Sequence, residues 1–530
     1  LPRREAHANV CIRGFLAVSR QAMHPRTHGL VIALGLALVG CSSKKDAAPK
    51  PDPASPASPA GPGSDGNGPG SAAPPERPAP PPAKPLPALA ADPGGATGTV
   101  ELLASFGGVK IDSTRAIAPG PDGSAYVAGY FEDVAQFAPL SKTAAGKSDA
   151  FVAQLKSNGE FAWVATVAGP NEDTADALAV GTDGTIGFGG LFSGKIDGGG
   201  LLAQSYGSDD MFIAGVSPAG EVLWLWTAGG TASDATTALA ATPDGGFIAA
   251  VSFAGTARFG ETEYESKGAD DVALVKLSSA GALEWLTPLG GEGNDQVRRL
   301  AVDGNGNVFI LGTFKDSIDL GGGAMKAAGG NDLMLARFDA SGRHVWSKRI
   351  GNPFNEMAGG IAVDRAGNLV ITGSYDRDVD FLGTPLVASG ESDVFVARLS
   401  PDGAPLWVKS YGTEREDVGY GIGVDDAGNA VLTGWFESPI NFGGGALVGK
   451  GQKDGFIAKL DVDGKHLWSR RFGDWDHDSG NAIAVTPDGA AWLTGIFRYQ
   501  LDLTASGPTA QQKPGAKLAL PDGFIARFSR

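Results

Sequence analysis

A tryptophan returns every 61 residues along most of this chain. Trp163, Trp224, Trp285, Trp346, Trp407 and Trp468 are evenly spaced. One period below lies Leu102, and one period above lies Ser529, next to the last residue. Residues 99–530 therefore read as a repeat array, and an array of equivalent units folds as one domain whatever its length.

Each period holds four strand-length apolar runs and no helical period. In residues 295–351, RRLAVD and NVFILGTF flank GNG, and DLMLARFD and RHVWSKRI flank ASG. Both patterns read as hairpins. The first turn repeats its glycine at 123, 184, 245, 306, 367, 428 and 489, and the second at 159, 220, 281, 342, 403 and 464. The first strand repeats an aliphatic residue (Ile117, Leu178, Leu239, Leu300, Ile361, Ile422, Ile483) followed by a small one. An all-β array of four-stranded units has two apolar faces per unit to bury. Stacking the units around an axis covers both, which predicts a seven-bladed β-propeller. The last unit stops after its third strand, Gly523–Phe528, whereas Thr99–Gly108 matches a fourth strand. The N-terminal strand is expected to complete the C-terminal blade, leaving no open sheet edge. A seven-residue insertion is expected within 504–520.

Gly360–Gly373 (GIAVDRAGNLVITG) resembles the SBBP-type repeats of bacterial surface and secreted β-propellers. The resemblance extends over all seven units and implies a propeller without implying an enzyme. Endings such as Gly342–Trp346 are also similar to quinoprotein-type repeats. Those arrays usually have eight shorter blades, and the quinone enzymes a vicinal cysteine pair that is missing here.

Ahead of the array, residues 1–22 read as an over-extended start and 23–40 as a signal peptide. Arg26 and His28 precede an apolar run, Leu30–Val39, too short to span a bilayer as a mature helix. The run ends in Leu38-Val39-Gly40-Cys41, which resembles the lipobox of bacterial lipoproteins. That resemblance implies cleavage before Cys41, acylation of its thiol and, with Ser42 following, anchoring at the outer membrane. Residues 41–98 are rich in Pro, Ala, Gly and Ser and read as an unstructured tether. The expected partners are the membrane, through the Cys41 lipid, and an unknown protein or surface glycan. The propeller is expected to be monomeric.

Charge narrows the function classes. The formal charge is −16, of which residues 1–50 contribute +6, residues 51–100 contribute −2 and the array −20. Such a surface is unsuited to nucleic acid, which needs clustered Lys/Arg. Both cysteines, Cys11 and Cys41, precede the array, so the array holds no disulfide, thiolate metal cage or cysteine nucleophile. No cofactor is expected, and no hydrolase, P-loop or zincin motif is present.

Two acidic positions recur. Asp112, Asp173, Asp234, Asp295, Glu356, Asp417 and Asp478 precede the first strands; Asp149, Asp210, Asp271, Asp332, Asp393, Asp454 and Asp522 open the third. Both sets fall at one end of the strands and read either as a cation-steering acidic rim or as carboxylates capping backbone N–H groups within their own turns. Asp474, Asp476 and Asp478 partly resemble a calcium loop, but the glycine is misplaced and the distal glutamate is replaced by Val485. His344 and His466 lie two residues before a repeat Trp and read as packing or surface residues. The chain is expected to be a non-enzymatic binding or scaffolding lipoprotein. The alternative is an extracellular polymer-acting enzyme with a site at the central mouth. Polar residues there that break the seven-fold pattern would favour the enzyme.

Overall fold

The computed structural model describes residues 97–503, the backbone of 509–511, and 521–530. The expected over-extended start, the expected signal peptide, Cys41, nearly all of the expected tether and most of the expected insertion lie outside the described residues.

The first complete unit is four antiparallel strands in sequence order: Asp112–Pro119, Ala125–Phe131, Asp149–Leu155 and Phe161–Val167. The arrangement recurs in each unit, with first strands at Asp173–Val180, Ala235–Ala241, Gln296–Val302, Glu356–Val363, Asp417–Val424 and Ser479–Val485. In the last unit the outer place is taken by Val100–Phe106, antiparallel to Asp522–Phe528, with Leu103 opposite Ala526. The fourth strand expected from the N-terminal segment is therefore present.

Seven clusters of buried side chains hold the units together, each drawn from two neighbours. Leu311 and Leu335 meet Leu369 and Phe395 in one. In another, Phe106, Trp492 and Ile525 of the last unit meet Ile117, Phe131 and Phe151 of the first. Phe106 stacks on Phe137 at 5.0 Å. Burying a side chain of this size contributes about 1.5–3 kcal/mol. First strands pack side by side from unit to unit, and Asp112–Pro119 packs against Ser479–Val485 as well as Asp173–Val180.

The repeat tryptophans cross the same junctions. The indole N–H of Trp163 donates to Pro218 O (3.0 Å), that of Trp224 to Ser279 O (2.9 Å) and that of Trp407 to Val462 O (2.9 Å). Each acceptor lies two residues before the turn glycine of the following unit. That glycine rests on the indole face: a Cβ on Gly281 would stand 2.5 Å from Trp224.

One element escapes the strand count read from sequence. Between second and third strands lies a short two-stranded ribbon, as in Val134–Phe137 with Leu140–Thr143 and in Val379–Phe381 with Thr384–Leu386. In the second and third units the ribbon is continuous with its strands, which run to 13 and 16 residues. The ribbons pair with the end of the preceding fourth strand, Gly107 with Gln136 and Gly230 with Ala257. They form a second hydrogen-bonded link between units.

Candidate functional site: the carboxylate junctions and the central cavity

The two acidic series are brought together as pairs, one residue from each of two adjoining units. Both belong to loops that hydrogen bond directly: Asp234 N donates to Asp209 O (2.7 Å), Asp417 N to Ser392 O (2.8 Å) and Asp112 N to Pro521 O (3.4 Å). The carboxylates are buried, Asp112, Asp173, Asp295 and Asp417 completely. Most accept an amide four residues upstream, as Asp112 does from Gly108 (2.7 Å), Asp234 from Gly230 (2.7 Å) and Asp210 from Tyr206 (2.8 Å). Asp112, Asp234 and Asp478 accept a second amide from the end of the second strand. Arg349 pairs with Asp332 (2.6 Å) and Arg471 with Asp454 (2.9 Å).

Burial dominates the electrostatics of these pairs. It pushes Asp112, Asp173, Asp210, Asp295, Asp417 and Asp478 up to about 7, Asp234 to about 6 and Glu356 to about 8. The neighbouring carboxylate adds to the shift in pairs such as Glu356 with Asp332. The sequence carries a signal for this pairing, a glycine at 107, 229, 290, 351, 412 and 473. A Cβ on Gly412 would stand 2.0 Å from Asp393 and 3.0 Å from Asp417, so glycine eases the approach there, although Ala168 holds this place between Asp149 and Asp173.

Asp474, Asp476 and Asp478 do not converge on a shared centre. Asp478 takes the amide of Asp474 (2.9 Å), and Asp476 faces His477 Nδ1 (2.7 Å) and Arg498 (3.7 Å). Among the described residues no group of three or more metal-ligating side chains is assembled. His344 packs edge-on against Phe338, and His466 meets Ser469 Oγ at 3.0 Å.

A second site lies on the axis of the first strands, where periodicity gives no warning. In every first strand the pairing register skips one residue, a β-bulge, at 115, 176, 237, 298, 359, 420 and 481. The seven residues so released from the ladder are Arg115, Asp176, Thr237, Arg298, Gly359, Tyr420 and Asn481, each different in kind apart from the two arginines. Three of them, Arg115, Asp176 and Thr237, line a cavity of about 190 Å³, and Arg299 completes its polar lining. Its apolar lining includes all seven repeat aliphatics, from Ile117 round to Ile483. Arg115 faces Asp176 at 4.0 Å and lies over the Tyr130 ring. Arg299 donates to Arg298 O (2.9 Å). Burial first, and then the charge of Arg298, holds Arg299 down to about 10.

A family model agrees with the repeat type of this architecture. The family model described as SBBP, beta-propeller repeat, matches residues 284–313, within one unit. This chain is a β-propeller repeat protein. It is similar to an uncharacterized WD repeat-containing protein, L264, of Acanthamoeba polyphaga mimivirus, at 22% identity over 45% of this chain and 21% of that one. It is also similar to the regulatory protein FlaEY of Caulobacter vibrioides, at 23% identity over 61% of this chain and 35% of that one. The chain thus spans about a third or less of the length of these relatives. Among solved structures it is similar to the WD40 β-propeller domain of Doa1 (12% identity, TM-score 0.39, 81% of this chain and 96% of that one). The Neurospora crassa Pan2 WD40 domain is similar too (9% identity, TM-score 0.40, 80% and 95%).

Proposed function

We propose that this chain is a lipid-anchored protein of the bacterial cell envelope that presents a closed, seven-bladed propeller as a non-enzymatic scaffold. Its ligands are proteins or surface glycans. The propeller fold is suited to protein interaction or scaffolding at a coarse level. Closure is supported by the strand Val100–Phe106 on Asp522–Phe528 and by the neighbouring first strands of the first and last units. The anchor rests on the lipobox-like Leu38–Cys41 alone.

One observation carries the scaffold reading. The repeated Trp, Gly and Asp positions are engaged in joining units, so contact with a ligand falls to residues that differ between units. At the carboxylate end these include an exposed pair, Trp475 stacked on Tyr499 at 4.5 Å, with Tyr499 in a left-handed conformation at φ 64°. The exposed Phe354, beneath Arg377, lies at the same end two units earlier. Aromatic rings held open to solvent suit both sugar faces and protein side chains.

The alternative, a polymer-acting enzyme with a site at the central mouth, is favoured by the bulge residues, which break the seven-fold pattern. Its cavity weighs against it: about 190 Å³ is below the ~300 Å³ at which ligand pockets usually begin. The lining holds one carboxylate, facing Arg115, and no histidine or cysteine among the described residues.

Two measurements test the reading. Cys41→Ala in the full chain should move the protein from the membrane to the soluble fraction; unchanged membrane association refutes the anchor. Trp475→Ser with Tyr499→Ser should weaken retention of the purified protein on isolated envelope material by tenfold or more, and equal retention refutes this face as the ligand surface.

A further inference from the structure

The central cavity concentrates positive charge in an acidic protein. Arg115 and Arg299 line it with one carboxylate, Asp176, and Arg298 adjoins Arg299. Two guanidiniums against one carboxylate leave the lining with an excess of one positive charge in a chain of formal charge −16. Among the described residues, no carboxylate lies within ion-pair distance of Arg298 or Arg299, whereas arginines at the unit junctions are paired, Arg398 with Asp364 and Arg471 with Asp454. Folding gains little from crowding like charges around a narrow axis. The arrangement does have the chemistry of an oxyanion receptor, because a guanidinium presents several donors in a rigid fork.

The rest of the lining specifies more than charge. Ile117, Leu178, Leu239, Leu300, Ile361, Ile422 and Ile483 ring the same cavity and are nearly buried. The fifth and sixth first strands approach very closely there: a Cβ on Gly359 would stand 2.1 Å from Gly419 O. That side of the lining is Gly360, Ile361, Gly421 and Ile422, so the polar residues of the lining are gathered on the first four units. One wall is cationic, and the remainder is aliphatic or glycine.

We propose that the cavity binds a small organic anion, its carboxylate or phosphate group held by Arg115 and Arg299 and its short apolar body against the aliphatic ring. Thr237 donates its hydroxyl to Val297 O (2.7 Å) and forms part of the wall, and Asp176 orients Arg115 while opposing the anion's charge. This site goes beyond the scaffold reading and is independent of it, since it needs neither the lipid anchor nor the Trp475 surface.

The test is titration calorimetry of the full chain with acetate, butanoate and inorganic phosphate at constant ionic strength. Butanoate should bind roughly tenfold more tightly than acetate, from two additional buried methylenes. Arg299→Gln and Arg115→Gln should each weaken butanoate and phosphate at least tenfold, and Asp176→Asn should tighten both. Arg343→Gln, an exposed ion-pair residue, should change neither. Because the Arg299 variant removes a like-charge contact, its thermal midpoint should hold or rise, separating lost binding from lost folding. Butanoate binding unchanged in both arginine variants, or affinities equal to that of chloride, overturns the site. Equal affinity for acetate and butanoate overturns the apolar seat and with it the proposed ligand class.

Discussion

Gly98 lies flat against the indole of Trp468, and a Cβ built on it would stand 2.4 Å from the ring. Gly98 occupies the place of the turn glycines at 159, 220 and 281, one period below the first of them. The contact between Gly281 and Trp224 inside the array is thus reproduced by two residues 370 positions apart. The backbone continues the likeness, with Thr97 N donating to Arg530 O (2.8 Å) and Ser529 N to Thr99 O (2.8 Å).

Gly98→Ala should lower folding stability by about 2 kcal/mol, because both the left-handed backbone (φ 58°) and the indole exclude a methyl group. Gly123→Ala, where φ is 71° but the nearest atom is 3.7 Å away, should lose only about 1 kcal/mol. Denaturant midpoints compare the two, and equal losses would show that the ring contact contributes nothing.

The tryptophans should not respond alike. Trp224 donates to Ser279 O at 2.9 Å, whereas Trp468 Nε1 is buried without a partner among the described residues. Trp224→Phe should therefore cost about 1 kcal/mol more than Trp468→Phe. A reversed order in chemical denaturation would contradict the proposed role of the indole N–H.

At the same end of the strands as the turn glycines, Lys459 and Asp425 form a buried ion pair at 3.0 Å. Lys459→Met leaves the carboxylate uncompensated and should cost about 3–5 kcal/mol. Adding Asp425→Asn should restore most of the loss, and a double variant no more stable than the single one would rule out charge as the cause.

Acidification should stabilise the fold. Seven carboxyls that burial raises to about 7 or 8, Asp112, Asp173, Asp210, Asp295, Glu356, Asp417 and Asp478, bind protons more tightly folded than unfolded. Their penalty is absent below the ordinary carboxyl pKa near 4, grows as pH rises and is complete above the folded values. The thermal midpoint should be higher at pH 5 than at pH 8.5. Asp295→Asn should flatten that slope; a parent midpoint that rises with pH would refute the assignment.

Calcium should leave the midpoint unchanged at millimolar concentration and pH 7, because the carboxylate pairs are buried and capped by amides instead of forming an open acidic rim. A rise of several degrees, abolished by Asp417→Asn, would restore the rim as a cation site.

How much of this could be read from sequence depended on repetition. The four strands and the fourth strand supplied by residues 99–108 were legible because packing demands the same residue type at the same place in each period, as at Ile117 and its six counterparts. The ribbons were missed because they are short and differ in composition, as GlyAla pairs in one unit and Phe137 in another illustrate. The carboxylates were visible as a pattern, but their pairing was not, since each partner comes from a different unit and a small residue, glycine at six places and Ala168 at the seventh, is all that marks the contact. The bulge residues left no trace. Arg115, Asp176, Thr237 and Tyr420 share a position and nothing else, and a search for recurrence passes over them.

That last property has a consequence for how the molecule can change. A bulged residue pairs with nothing across the strand, so its side chain can be exchanged without shifting the register on either side. Three such positions, those of Arg115, Asp176 and Thr237, line one cavity, whereas Gly359 packs on Gly419 O and Asn481 donates to Thr114 O in neighbouring units. The frame and the contents of the axis are therefore separable at Arg115 and Asp176: those two side chains can be rewritten, and the same scaffold made to recognise a different small molecule, with the backbone junctions untouched.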